Sequence, residues 1–337
     1  MREGNYVCLP EFALKKALIC VVSGQDGAYL AQLLLGKGYQ VWGTSRDAQM
    51  ASFANLERLG IRQQVQLLSM AQSDFRSVLN TLSRSEPDEI YFLSGQSSVG
   101  LSFEQPAESI ESMVHGALNL LEAVRFLNRT VRVYHASSSE CFGDVAFGER
   151  ASELTPFRPR SPYGVAKASA HWLIANYREA YGLYCCNGIL FNHESPLRPA
   201  RFVTRKIVAT ACRIAGGSGE RLSLGRLDIA RDWGWSPDFV DAMWRMLQQE
   251  RPDDYVIATG VTHTLESFVA SAFARVGLDW TSHVDIDRSL FRPSEIAHSA
   301  GNPEKASKGL GWRADVAFPQ LIANLVRAEQ AIAAPKF

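Results

Sequence analysis

Apolar residues in the first half of the chain are grouped into short unbroken runs, with helical spacing between them. Ala17-Leu-Ile-Cys-Val-Val22 is such a run and predicts a strand covered on both faces. Residues 28–35 repeat apolar positions at helical spacing, and Tyr39-Gln-Val-Trp42 predicts a second strand. Further strands are expected at 65–68, 89–93 and 131–135, with helices over 75–85 and 108–126. A helix containing Tyr163 and running to Tyr181 precedes one more strand, 184–191. Solid strands alternating with helices predict an α/β fold, a doubly wound parallel sheet with right-handed crossovers. Beyond Asn192 the strands shorten, as at 221–224 and 254–258, which predicts a smaller α+β portion. The expected division is an N-terminal extension, 1–16, a main domain, 17–191, and a second portion, 192–337. The tail, 333–337, is expected to be loose.

Composition narrows the function. The 337 residues carry 35 Lys plus Arg and 35 Asp plus Glu, so no bulk charge points to nucleic acid or a membrane surface. No apolar run approaches the ~20 residues of a membrane span. The first residues include Glu3 and Glu11 and lack the apolar core of a secretory signal. Six scattered cysteines without C-x-x-C spacing indicate neither a metal site nor a disulfide framework. Cys20 and Cys212 are expected to be buried thiols, and Cys185 and Cys186 to point to opposite faces of a strand. A reducing cytoplasm suits this pattern.

Two segments carry chemistry. Tyr163 and Lys167, in Ser-Pro-Tyr-Gly-Val-Ala-Lys, share one helix face. A nearby ammonium lowers the pKa of a phenol, which suits proton exchange with an alcohol during hydride transfer. The competing reading is a solvated helix face. After the first strand comes Val21-Val-Ser-Gly24-Gln25-Asp26-Gly27, whose glycines allow a backbone to approach a pyrophosphate at a helix N-terminus. The plainer reading is a tight strand-to-helix turn. Val21 does not readily take positive φ, so this turn is expected to be altered or the approach less close. Arg46, after the second strand, faces a ribose 2′-phosphate on one reading and solvent on the other.

Longer strings sharpen this picture. Ser23-Gly-Gln-Asp-Gly-Ala-Tyr-Leu30, Gly188-Ile-Leu-Phe-Asn-His-Glu-Ser-Pro196, Phe202-Val-Thr-Arg-Lys206, Arg231-Asp-Trp-Gly234 and Arg292-Pro-Ser-Glu295 resemble the GDP-mannose 4,6-dehydratases, extended short-chain dehydrogenase/reductases. The resemblance runs from about Ala17 to beyond Trp312 and implies a Rossmann-type domain binding NADP. It implies a catalytic set of Ser138, Glu140, Tyr163 and Lys167. Tyr163 would take the C4 hydroxyl proton and Glu140 the C5 proton. Ser138 would bind the C4 oxygen, where the family usually has threonine. Lys167 would hold the nicotinamide ribose and keep Tyr163 near phenolate. Gly24, Gln25, Asp26, Gly27, Arg46, Tyr163, Lys167 and His193 would contact the cofactor, with His193 packed beside the nicotinamide rather than acting as acid or base. Ser138, Asn192, Lys206, Arg231, Arg292 and Glu295 would contact GDP-mannose or a related GDP-sugar, the arginines on the diphosphate. Trp233, Trp235 and Trp244 are expected in the core.

The departures from the family cluster on the cofactor side. Val21 replaces its first loop glycine, and Arg46-Asp-Ala-Gln-Met50 replaces an Arg-Arg-Ser-Ser run. Ser69-Met-Ala71 stands in place of an Asp-Gly-Asp-like string, and Phe92-Leu-Ser-Gly-Gln-Ser97 in place of Asn-Leu-Ala-Ala-Gln-Ser. Three readings therefore stand: a dehydratase with rearranged NADP binding, a related GDP-sugar dehydratase, epimerase or reductase, or a GDP-sugar-binding protein that has lost NADP. In the family the arginine loop also helps form a tetramer, so its loss predicts a homodimer.

Overall fold

The computed structural model describes residues 14–333, and the expectations for residues 1–13 and 334–337 lie outside that range. The first half builds β1 (Lys16–Cys20), α1 (Gln25–Gly36), β2 (Gln40–Ser45), α2 (Ala54–Arg58) and β3 (Gln66–Ser69). Then come α3 (Phe75–Ser85), β4 (Glu89–Phe92), α4 (Val99–Glu104), α5 (Pro106–Ile110), α6 (Gly116–Leu127) and β5 (Arg132–Ser138). Next are α7 (Pro162–Tyr181), β6 (Cys185–Leu190), β7 (Asn192–Glu194), α8 (Val203–Ala215), β8 (Leu222–Leu224) and β9 (Ala230–Trp235). The chain continues through α9 (Ser236–Met246), β10 (Tyr255–Ile257), β11 (Thr262–Thr264), α10 (Leu265–Arg275), β12 (Val284–Ile286), α11 (Glu304–Leu310) and α12 (Phe318–Ala333).

Seven strands form one parallel sheet in the order β10-β6-β5-β4-β1-β2-β3. The order reverses between β1 and β4, which opens a crevice at their carboxyl ends. Burial on both faces explains the unbroken apolar runs: Ala17 and Ile19 pack into one cluster, Leu18 and Cys20 into the other. Cys186 and Cys185 divide between the same two clusters, as expected. Cys212 is only half-buried rather than buried.

Local signals set the helix ends. Asp74 caps α3 by accepting from the Arg76 amide at 2.9 Å, and that helix spans the expected residues. The expected helix 108–126 is α5 and α6 joined by a π-helical turn, Glu111–His115. The segment 254–258, expected among the short strands of the second portion, supplies β10, which pairs with β6 in the large sheet. It returns there because α9 packs Val240, Ala242 and Met243 into the cluster that holds Ala28, Leu30 and Leu34 of α1. The rest of the second portion is a β11-β9-β7 sheet, a β12-β8 pair, and helices α8, α10 and α12 around Trp233 and Phe268.

Val21 takes the conformation that its β-branched side chain disfavours. It follows β1 with φ 66°, in the left-handed region. Tertiary contacts hold it there. Its amide donates to Thr44 Oγ1 at 3.2 Å, and the side chain of Val22 fills the space above Gly43. Gly27 packs so closely that an added Cβ would lie 2.6 Å from the Val21 carbonyl oxygen. The turn is formed, at a strain of about 1–2 kcal/mol for an L-residue.

Candidate active site

A cleft of about 720 Å³ lies over the carboxyl ends of the sheet and is walled on its other side by the second portion. Ser138 ends β5, and its hydroxyl accepts from the Glu140 amide at 3.2 Å, closing a single helical turn that fixes Glu140. Ser161 caps α7 by accepting from the Gly164 amide at 3.0 Å, with Pro162 in the first turn. Gly164 is needed here, because a Cβ would lie 2.9 Å from the Glu140 carbonyl oxygen. The start of α7 thus lies against the Glu140 turn, and Tyr163, Lys167, Ser138 and Glu140 all line the cleft.

The electrostatics differ from the expectation drawn from spacing. Lys167 Nζ donates to the Ala136 carbonyl at 2.8 Å and sits 5.9 Å from the centre of the Tyr163 ring. Burial brings the Lys167 ammonium down to about 8. Burial also raises the Tyr163 phenol well above its ordinary value, with the Ser138 hydroxyl working against it. In both groups burial disfavours the charged form, and for Tyr163 it outweighs what lowers the phenol. Burial raises the Glu140 carboxyl too, opposed by Arg231 and Arg292. A carboxylate made more basic than usual suits abstraction of a carbon-bound proton.

Arg231, Arg292 and Glu295 converge but pair with one another. Glu295 Oε1 accepts from Arg231 Nη2 at 2.9 Å and from Arg292 Nη1 at 3.1 Å. Lys206 Nζ donates to the Ser223 carbonyl at 2.7 Å. Asn192 opens β7, whose pairing with β9 sets it opposite Trp233 and brings Arg231 into the same wall. Trp233 is in the core as expected, while also lining the cleft; Trp235 and Trp244 pack partly buried.

On the opposite side, Gly24 heads α1 without a side-chain cap, so the first amides of the helix have no side-chain acceptor there. Asp26 and His193 line the cleft, while Gly24, Gln25 and Gly27 form the turn that carries Asp26. Arg46 is apart from them: its side chain is 81% exposed and pairs with Glu108 at 3.2 Å. Among the described residues no group of His, Cys, Asp and Glu is arranged to hold a metal ion.

Sequence reasoning missed Arg198 and Arg201, which add two cations to the cleft, and the segment 95–98 that follows β4. The arginines were readable: both lie in the short link between two of the family-like strings. Gln25 was expected only as part of its loop, yet its buried amide donates to the His193 carbonyl at 3.1 Å and its Oε1 accepts from Ser195 Oγ at 2.7 Å. No local pattern marks such a long-range contact.

Comparison with known proteins agrees with this geometry. The family profile described as GDP-mannose 4,6 dehydratase matches residues 18–325. GDP-mannose 4,6 dehydratase 1 of Arabidopsis thaliana is 46% identical over 322 residues, covering 93% of this chain and 89% of its own. The Homo sapiens GDP-mannose 4,6 dehydratase is 40% identical over 338 residues, covering 93% of this chain and 91% of its own. Among solved structures, the UDP-glucose 4-epimerase of Thermus thermophilus, complexed with NAD, superposes with a TM-score of 0.83 at 25% identity, covering 94% of this chain and 99% of its own. The dTDP-glucose 4,6-dehydratase of Bacillus anthracis, with a TM-score of 0.82 at 19% identity over 94% and 97% of the two chains, shares the fold.

Proposed function

The chain belongs to the GDP-mannose 4,6-dehydratase family, and from that premise we propose that its cleft converts GDP-mannose to GDP-4-keto-6-deoxymannose using bound NADP. The observation that carries this reading is the meeting of Ser138, Glu140, Tyr163 and Lys167 with Asn192, Arg231 and Glu295 in one cleft at the sheet's reversal point.

The residues present fit a dinucleotide. The α1 amides lack a side-chain cap, Gly27 brings the helix against the Val21 turn, and the crevice between β1 and β4 faces them. Of the four departures behind the lost-cofactor reading, Val21 does not break the turn, which it enters at φ 66°. Arg46 supports NADP over NAD, since an exposed ion pair worth about 0–1 kcal/mol yields readily to a 2′-phosphate.

When bound, NADP would supply the acceptor for the C4 hydride and the donor that returns it to C6. Tyr163 takes the C4 hydroxyl proton while Ser138 holds that oxygen. The resulting 4-ketone acidifies C5–H; Glu140 removes that proton and protonates the departing C6 hydroxyl, and C5 takes up a proton as hydride reaches C6, which balances the one Tyr163 took from the C4 hydroxyl. Lys167 would hold the nicotinamide ribose. Arg231 and Arg292 turn from Glu295 to the sugar-nucleotide diphosphate, which frees Glu295 to accept from the guanine.

We also propose a homodimer. Exposed Leu118 and Phe126 of α6 and Val165, Trp172 and Tyr181 of α7 form an apolar surface on two packed helices. The five cysteines among the described residues are free, which suits a reducing cytoplasm. Incubation with GDP-mannose and NADP should give a 4-keto sugar detectable by its alkaline absorbance. Tyr163→Phe should nearly abolish it, and near-normal turnover in that variant rules out the base.

A further inference from the structure

A buried polar cluster joins the cofactor turn to the substrate wall. His193, only 8% exposed, places both ring nitrogens on oxygen acceptors: Nδ1 lies 2.7 Å from the Phe191 carbonyl and Nε2 2.9 Å from Asp26 Oδ2. A neutral imidazole donates from one nitrogen only. It would leave a lone pair facing either a carbonyl or a carboxylate, so the doubly protonated ring is the form that satisfies both contacts. The ring also stacks on Phe239, with centres 4.5 Å apart, which fixes its orientation.

Asp26 is equally constrained. Its Oδ1 accepts from Gln25 Nε2 at 3.1 Å and from Ser236 Oγ at 2.9 Å, while Oδ2 faces His193. It lies in the first turn of α1, where the diphosphate is read to bind. An unpaired carboxylate there would repel that ligand. Other groups that act on the pair are Arg198, which follows β7 and acts on both partners, and Lys167 and the Tyr134 phenol, which feel the Asp26 charge.

We propose that His193 is a positioning residue held as an imidazolium, and that its charge cancels Asp26 so that the first turn of α1 accepts an anionic diphosphate. The role rests on the dinucleotide reading above. It also makes His193 a brace: the same contact ties the cofactor turn to β7, next to Asn192. Although burial opposes it, the Asp26 carboxylate raises the imidazole above its ordinary value, in accord with the two-acceptor geometry.

Nitrogen NMR of the histidine rings in the full chain reads the charge directly, and NADPH fluorescence titration reads the consequence. His193 should remain doubly protonated above the ordinary histidine value of ~6.5, and become neutral there in Asp26→Asn. His193→Gln should weaken NADPH binding about tenfold, or ~1.4 kcal/mol, by leaving the carboxylate unpaired. Adding Asp26→Asn to that variant should recover most of the loss. A purely structural brace predicts no recovery. A neutral His193 at about pH 7, or a double variant binding as weakly as His193→Gln, overturns the proposal. Absence of NADPH binding by the unaltered protein overturns the dinucleotide reading and the diphosphate role with it, while the NMR result still decides the charge of His193.

Discussion

Lys167→Met should abolish turnover and, at neutral pH, make the nucleotide-free protein more stable. Burial brings the ammonium from 10.5 down to about 8 in the folded chain. At ~1.4 kcal/mol per pH unit, holding it charged in the fold costs about 3 kcal/mol. Met keeps the length and apolar character of the stem without that charge. Against the gain, the Ala136 carbonyl loses its 2.8 Å donor, a loss of ~1–2 kcal/mol. The net expectation at about pH 7 is a variant more stable by ~1–2 kcal/mol. The sign follows from linkage. Between about 8 and 10.5 the unfolded chain holds the proton and the folded chain does not, so wild-type stability rises with pH across that window. Above 10.5 the wild type no longer bears the cost, the variant still lacks the hydrogen bond, and the variant becomes the less stable protein. Urea unfolding of both proteins at matched pH values isolates this residue, because other titrating groups cancel in the difference. A stability difference that stays constant with pH refutes the argument, even if the variant is inactive.

Val21→Gly should be more stable than Val21→Ala by ~1 kcal/mol, the reverse of the usual order, because only alanine keeps the cost of positive φ; alanine proving more stable in thermal unfolding removes the strain. Glu140→Gln should still form reduced nicotinamide on mixing with GDP-mannose in a single turnover, yet release no 4-keto-6-deoxy product; normal product yield excludes Glu140 as the base. With burial raising Glu140, the acid limb of kcat should lie above the usual carboxylate range, and a limb near pH ~4 contradicts that. Asp254→Asn should cost about 3 kcal/mol, since Arg178 loses a bidentate partner at 2.7 and 2.9 Å; a change below ~1 kcal/mol in urea unfolding sinks that estimate. Burial raises Asp254 but Arg178 holds it below its ordinary value, so the pair's contribution is full above about 3.8 and fades as pH falls through the folded value.

What the sequence made legible follows the range of each physical signal. The strands of the large sheet could be read because burial on both faces leaves an unbroken apolar run, a strictly local mark. The fate of 254–258 could not, because three residues pair with β6 only after α9 has crossed back over α1. Val21 shows the same limit from the other side. Propensity argued against the left-handed turn, and contacts from Thr44, Gly43 and Gly27 imposed it. At the site, the four-residue spacing placed Tyr163 and Lys167 on one face but carried no information about depth. Burial, not proximity, sets the direction of both pKa shifts, so the pair's residues were readable and its electrostatics were not. The Arg231–Glu295–Arg292 knot and the His193–Asp26 contact repeat the lesson at longer separations. The strings identified the residues, while only the fold revealed that Arg231, Arg292, Glu295, His193 and Asp26 already have charged partners. Binding of the diphosphate by Arg231 and Arg292 therefore exchanges existing ion pairs rather than filling vacant ones. That predicts affinities less sensitive to salt than the same cations would give if exposed, because buried pairs are screened little.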